Sequence, residues 1–271
     1  MKSAIVFLIL FTAWPCLGQN YELYLEQGKQ SLEVRQFDRS IVFFTQAIEQ
    51  RPNEPWGYSN RGFAYLQTGR YDEAISDFTM AIALDATGAW NYVSRGIAQL
   101  EKGQYDKAIT DFSRAIQINP EDAEAYYNRS KAFLYLQQYD RAIFDATKAI
   151  ELNPENAWPY SNRGKAYLMK GQNNEAISDL TQYIKMNPKD ADAYYNRGKA
   201  YAAVGLNENA ISDYTRAIRI NPNDAEAYYN RGYIYMVKLE NKINACSDWK
   251  RACELGMCKN YERAKEKGFC K

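Results

Sequence analysis

The strongest constraint on how this chain folds is a step of 34 residues. Asn60-Arg61-Gly62 returns as Ser94-Arg95-Gly96, Asn128-Arg129-Ser130, Asn162-Arg163-Gly164, Asn196-Arg197-Gly198 and Asn230-Arg231-Gly232, always at that interval. A fixed period in this range marks supersecondary units stacked in one dimension, each burying its apolar face only against its neighbours. Within a unit the apolar residues form two sets, for example Tyr194, Ala200 and Tyr201, then Ala210, Ile211, Tyr214, Ala217 and Ile218. Spacings of three, four and seven are helical and not those of a strand, so each unit is a pair of helices. Gly69, Gly103, Gly171 and Gly205 break the chain between paired helices. Asn-Pro at 119–120, 153–154, 187–188 and 221–222 closes one unit and opens the next, because proline cannot continue a helix and restrains the residue before it.

Taking the recurring glycine as position 8, seven units run 21–54, 55–88, 89–122, 123–156, 157–190, 191–224 and 225–258. Unit 1 carries Gln27 and Phe43 where later units carry Arg and Asp, as an atypical starting repeat. Unit 7 has no turn glycine, and Ala245, Trp249 and Ala252 sit one place late, implying one inserted residue around Leu239–Lys242. Residues 259–271 are polar on several faces and read as a solvent-facing C-terminal cap.

The two ends also carry signals of compartment. Lys2, an apolar run of 11 from Ala4 to Trp14, and Leu17-Gly18 before polar Gln19 read as an export signal, 1–18, cleaved after Gly18. The run is short of the about 20 apolar residues a bilayer span needs. Cys16 offers a lipidation alternative, against which stand the bulky and rigid Trp14-Pro15 in front of it. The mature array, from residue 19, then holds Cys246, Cys253, Cys258 and Cys270, and an even number of cysteines in an exported chain points to two disulfides. Cys246 and Cys253 lie seven apart on one helix, about 10.5 Å, beyond disulfide reach. With Gly256 as the turn of a helical hairpin, the nested pairing Cys253–Cys258 and Cys246–Cys270 fits best. A four-cysteine zinc site is the rival, but no Cys-x-x-Cys pair is present.

Composition narrows function mostly by exclusion. The 34 Lys and Arg nearly cancel the 33 Asp and Glu, so nothing steers the chain toward nucleic acid or an anionic membrane. Histidine is absent, which removes Ser-His-Asp and Cys-His catalysis, imidazole metal sites and histidine pH switching. No Gly-rich phosphate loop or Gly-x-Ser-x-Gly elbow is found, and no cofactor or metal is expected.

Unit 3 sets Tyr92, Gly96, Ala108, Phe112, Ala115 and Pro120 in an aromatic, Gly, Ala, Phe, Ala, Pro pattern. Unit 6 does so with Tyr194, Gly198, Tyr201, Ala210, Tyr214, Ala217 and Pro222. Here the chain resembles the tetratricopeptide repeat (TPR) family, over everything after the export signal except the last dozen or so residues. The resemblance implies an all-α, right-handed superhelical solenoid of seven helix pairs plus a C-terminal capping helix, a non-catalytic scaffold that binds another protein. It also implies that the side chain at position 6 points into a concave groove, as in a sugar-transferring enzyme whose array holds peptide backbones on an asparagine ladder.

The candidate groove residues follow. Position 6 supplies Asn60, Ser94, Asn128, Asn162, Asn196 and Asn230. A side-chain amide both donates and accepts, so it pairs with a peptide unit without reading its side chain. Helices pack about 8–10 Å apart and an extended peptide advances about 3.3 Å per residue, so one rung meets every third residue. The competing role for these amides is to tie adjacent repeats together. Tyr127, Tyr195 and Tyr229 at position 5, with Trp56, Trp90 and Trp158 at position 2, place rings near the same face, and Lys131, Lys165 and Lys199 at position 9 add a positive strip. The lysine with which family members capture chaperone C-termini, at position 5, is missing from every unit.

Arg61, Arg95, Arg129, Arg163 and Arg197 are each followed sixteen residues later by Asp77, Asp111, Asp145, Asp179 and Asp213. Unit 7 keeps the couple as Arg231 and Asp248, and unit 1 lacks both members. Residues that come and go together in this way read as structural ion pairs between paired helices and not as a ligand stripe. The reading is therefore a scaffold holding an extended segment of another protein. Alternatives are an accessory that holds substrate for a separate enzyme, and a structural spacer in a cell-envelope assembly.

Overall fold

The computed structural model describes residues 17–271, with side chains from Asn20 onward. Residues 1–16, which carry the expected export signal and Cys16, lie outside the described residues, and the expected cleavage point after Gly18 falls in the first turn of the first helix. The described residues form helices in successive pairs and no strand. In the compact unit ending at Pro120 the pairs are α1 (Leu17–Glu33) with α2 (Phe37–Gln50), α3 (Pro55–Gln67) with α4 (Tyr71–Leu84), and α5 (Ala89–Glu101) with α6 (Tyr105–Ile118). The second compact unit, from Glu121, holds α7 (Ala123–Tyr135) with α8 (Tyr139–Leu152), and α9 (Trp158–Met169) with α10 (Asn173–Met186). It continues with α11 (Ala191–Ala203) and α12 (Asn207–Ile220), then α13 (Ala225–Val237) and α14 (Lys242–Glu254), and ends on α15 (Lys259–Glu266). Within each unit the first helices of successive pairs also touch one another: α1 with α3, α3 with α5, α7 with α9, and α9 with α11. The first helices therefore share the inner side.

Each pair closes on one small-against-large contact. A methyl group added at Gly96 would come within 2.7 Å of the Phe112 ring, at Gly198 within 2.9 Å of Tyr214, and at Gly232 within 2.8 Å of Trp249. Phe78, Phe112 and Leu180 are fully buried in this role. Unit 4 sets two small side chains at this contact. Ser130 stands where the others have glycine, Ala146 where they have the large side chain, and both are 0% exposed.

The turn between paired helices needs one residue in the left-handed region. Gly69, Gly103, Gly171 and Gly205 supply it at φ of 73°, 72°, 75° and 81°, whereas Arg35, Gln137 and Glu240 adopt 58°, 57° and 50° with a side chain present. The inserted residue of unit 7 lengthens this turn, so Glu240 sits one place later than the others.

The C-terminal cap is pinned covalently. Cys246 pairs with Cys270 across a Cα–Cα distance of 5.4 Å, and Cys253 with Cys258 at 3.9 Å. The bridges fasten α15 over a cluster of Ala245, Trp249, Ala264 and Cys270, while Lys259, Glu262, Arg263, Lys265, Glu266 and Lys267 face solvent. Two outcomes are expected. Gln137→Gly relieves a side chain in the left-handed turn and raises stability by about 1 kcal/mol in urea unfolding. Replacing Cys246 and Cys270 by Ser removes a constraint worth about 2–4 kcal/mol, so amides of α15 exchange with deuterium faster while those of α9 keep their protection.

Candidate functional site

The six arginines at position 7 are built into the joints. Nε and Nη2 of Arg61 donate to Asp77 Oδ2 and Oδ1, both at 2.8 Å. The same two-point geometry holds Arg95 to Asp111 at 2.7 Å twice, Arg129 to Asp145 at 2.7 and 2.8 Å, and Arg163 to Asp179 at 2.7 and 2.9 Å. It recurs at 2.8 Å twice for Arg197 with Asp213 and at 2.9 and 2.7 Å for Arg231 with Asp248. All six aspartates are buried. A third donor, Nη1, reaches back to a threonine of the preceding pair: Arg61 to Thr45, Arg163 to Thr147 and Arg197 to Thr181 at 3.0 Å, and Arg231 to Thr215 at 2.8 Å. The hydrogen bonds they donate to their partner carboxylates raise the pKa of Arg61 and Arg163 above that of an ordinary arginine. The threonines escaped the sequence reading, although their signal was present as Thr two places after Asp in most units.

The asparagine ladder divides between roles. Asn60, Asn128 and Asn196 each donate one amide N–H to the carbonyl four residues back, of Trp56, Glu124 and Asp192, at 2.7, 3.0 and 2.8 Å. Asn162 instead donates to Ser130 Oγ at 3.0 Å and Asn230 to the Tyr195 hydroxyl at 3.1 Å, each joining adjacent pairs. Every asparagine rung thus spends one N–H on the protein and keeps a second N–H and its carbonyl oxygen. Asn128, Asn162 and Ser94 are buried, Asn162 at the rim of that class with 9% exposed.

A groove of about 550 Å³ opens on the inner side of the second unit, across α7, α9 and α11. It brings together Tyr127, Lys131, Trp158, Asn162, Lys165 and Asn196 of the expected residues, and adds Leu134, Tyr135, Tyr139, Ser161, Leu168 and Met169. Other expected residues are drawn elsewhere. The Tyr195 hydroxyl donates to Glu226 and its ring receives the Lys199 ammonium at 5.5 Å; burial, and then the Glu226 carboxylate, push its pKa upward, so it stays a neutral donor. Tyr229 packs with the C-terminal cluster, its carbonyl accepting from Trp249 Nε1 at 3.2 Å. Trp90 packs tilted against Phe63 at 5.8 Å and edge-on against Phe78 at 5.7 Å, both of the preceding pair.

Family models described as TPR repeat match residues 98–137 and 131–171, and models described as tetratricopeptide repeat match 55–87, 161–225 and 213–266. The chain is built of tetratricopeptide repeats. Among solved structures, a tetratricopeptide repeat protein from Parabacteroides merdae is 26% identical, with a TM-score of 0.65 over 92% of this chain and 97% of that one. YrrB, described as a TPR protein with an unusual peptide-binding site, is also 26% identical, with a TM-score of 0.60 over 69% of this chain and 97% of its own. The C-terminal part of a TPR repeat-containing protein from Cytophaga hutchinsonii, 20% identical, shares the fold at a TM-score of 0.66 over 86% and 95%. No curated protein sequence matches the chain. Fold and repeat identity together support a role in protein interaction.

Truncating one arginine should test the joints. Arg163→Ala leaves a buried carboxylate unpaired and is expected to cost about 3–5 kcal/mol in denaturant unfolding. A double-mutant cycle with Asp179→Ala should return a coupling of at least about 1 kcal/mol.

Proposed function

We propose that this TPR chain is a non-catalytic scaffold that holds an extended segment of another protein in the groove formed by α7, α9 and α11. The observation that carries the reading is the convergence of Asn162 and Asn196, each with unspent amide capacity, on one groove beside Tyr127, Lys131 and Lys165. Two amides on successive helices meet a peptide backbone about every third residue, while the rings receive side chains between them. The peptide-binding site named for YrrB lends the same reading support at the level of the fold.

The setting we infer is an oxidising compartment reached by export. In support, the four cysteines after residue 16 are paired as disulfides, bonds that persist where thiols are not kept reduced. No helix among the described residues is long and apolar enough to cross a membrane.

Replacing Asn162 and Asn196 together by Ala should weaken capture of the partner segment at least ten-fold, a loss of about 1.4 kcal/mol or more, with unchanged helical circular dichroism. Capture equal to wild type would reject the groove.

A further inference from the structure

The chemistry of the groove goes further than its shape, and the step rests on the peptide-binding reading above. Its lining contains two lysines, Lys131 and Lys165, and no carboxylate. Lys165 makes no ion pair among the described residues, whereas Lys102, Lys148 and Lys170 each find an acidic partner. Lys199 continues the strip one repeat on, again 34 residues later and half-buried. On α11 the acid at position 2, Asp192, stands seven residues, about 10.5 Å along the helix, from Lys199, and Glu226 of α13 accepts from Tyr195. Beside the lysines the lining is apolar at Leu134, Leu168, Trp158 and the 59%-exposed Met169.

We infer that the groove selects a segment carrying carboxylates at every third residue with apolar side chains between them. Successive lysines ride on helices about 8–10 Å apart. A polyproline II peptide turns once in three residues and rises about 3.1 Å each, so residues i, i+3 and i+6 share one face at about 9.3 Å intervals. That interval matches the repeat, whereas an alternating β-strand would turn every second acid away. The same register sets a backbone unit against each asparagine. A single-stranded nucleic acid is also anionic, but it has no use for amide rungs spaced to a peptide, and the near-neutral chain offers it no wider basic field.

The test uses fluorescence polarisation on the full chain with amidated peptides of about nine residues: three Asp-Leu-Pro triplets, the same with Asn for Asp, the same with Lys for Asp, and a composition-matched peptide with its three Asp contiguous. The spaced acidic peptide should bind at least ten-fold more tightly than each of the others and weaken as salt rises from about 0.05 to 0.5 M. Lys165→Glu should lower that affinity at least ten-fold and make the lysine peptide the preferred ligand, with unchanged circular dichroism. A version of the Asn peptide with a free C-terminus separates a terminal carboxylate from side-chain ones; if it alone equals the spaced acidic peptide, the periodic selection is wrong. Equal binding of acidic and neutral peptides, both weakened by the Asn162→Ala and Asn196→Ala pair, would overturn the acidic selection and leave the groove standing. Binding of no peptide would overturn both, and tighter binding of an oligothymidylate would overturn the choice of a protein segment.

Discussion

The structure depends most on a guanidinium that serves two helix pairs at once. A repeat array has no central core, so its stability is a sum of terms within and between neighbours. Arg163 contributes to both sums: two bonds to Asp179 close its own pair and a third to Thr147 reaches the pair before. A buried ion pair often adds little to stability over an apolar replacement of equal volume. Its value here is directional, because a planar fork accepts its carboxylate in one orientation and aims the remaining donor. The ring of Tyr160, centred 5.9 Å from the guanidinium, adds a further wall. Repeated within each compact unit, this joint ties a pair to its predecessor.

That arrangement decides what the inner face offers a ligand. Six arginines spent on six buried aspartates bring no net charge to the groove. The chemistry facing outward there is left to positions 5, 6 and 9, where amides, rings and lysines vary from unit to unit. Unit 4 shows how far one repeat bends the rule without breaking the joint. It gives up glycine for Ser130 and the large side chain for Ala146, and Ser130 then supplies the acceptor for Asn162. A packing change inside one pair becomes a hydrogen bond to the next.

Much of this was legible from residue spacing, and for a physical reason. Periodic features are averaged over several copies, so the helix pairs, the left-handed turn glycines, the Arg and Asp partnership and the late register of unit 7 could all be read without coordinates. What could not be read was local and non-repeating. The amide at position 6 has two N–H groups and a carbonyl, and nothing in the sequence says whether it bonds its own helix, as Asn196 does, or a neighbour, as Asn230 does. Tyr229 shares its position with Tyr127, yet it packs into the C-terminal cluster that α14 and α15 build beside it. The change to Ser130 and Ala146 was visible as two substitutions sixteen residues apart, but only the contact between the two positions makes them one event.

The two ends of the array meet the same problem with different means. A terminal pair has one neighbour where an internal pair has two, so it loses about half of its interfacial stabilisation. At the start, Gln27 and Phe43 of unit 1 occupy the two places the ion pair would take. The unit keeps the small-against-large contact, with Gly28 under a fully buried Phe44, and holds Arg51 over the ring of Tyr21 at 4.5 Å. At the finish, unit 7 retains the full joint through Arg231, Asp248 and Thr215, but the short α15 that follows buries only Ala264 of its own residues. One buried side chain is far too little to hold an eight-residue helix in water, since isolated helices of that length are unstable. The bridge from Cys246 to Cys270 supplies what packing does not, by closing the segment into a loop whose unfolded state has lost much of its freedom. Covalent closure thus appears where the repeat stops providing a neighbour, which ties the cysteines to the one-dimensional logic of the fold.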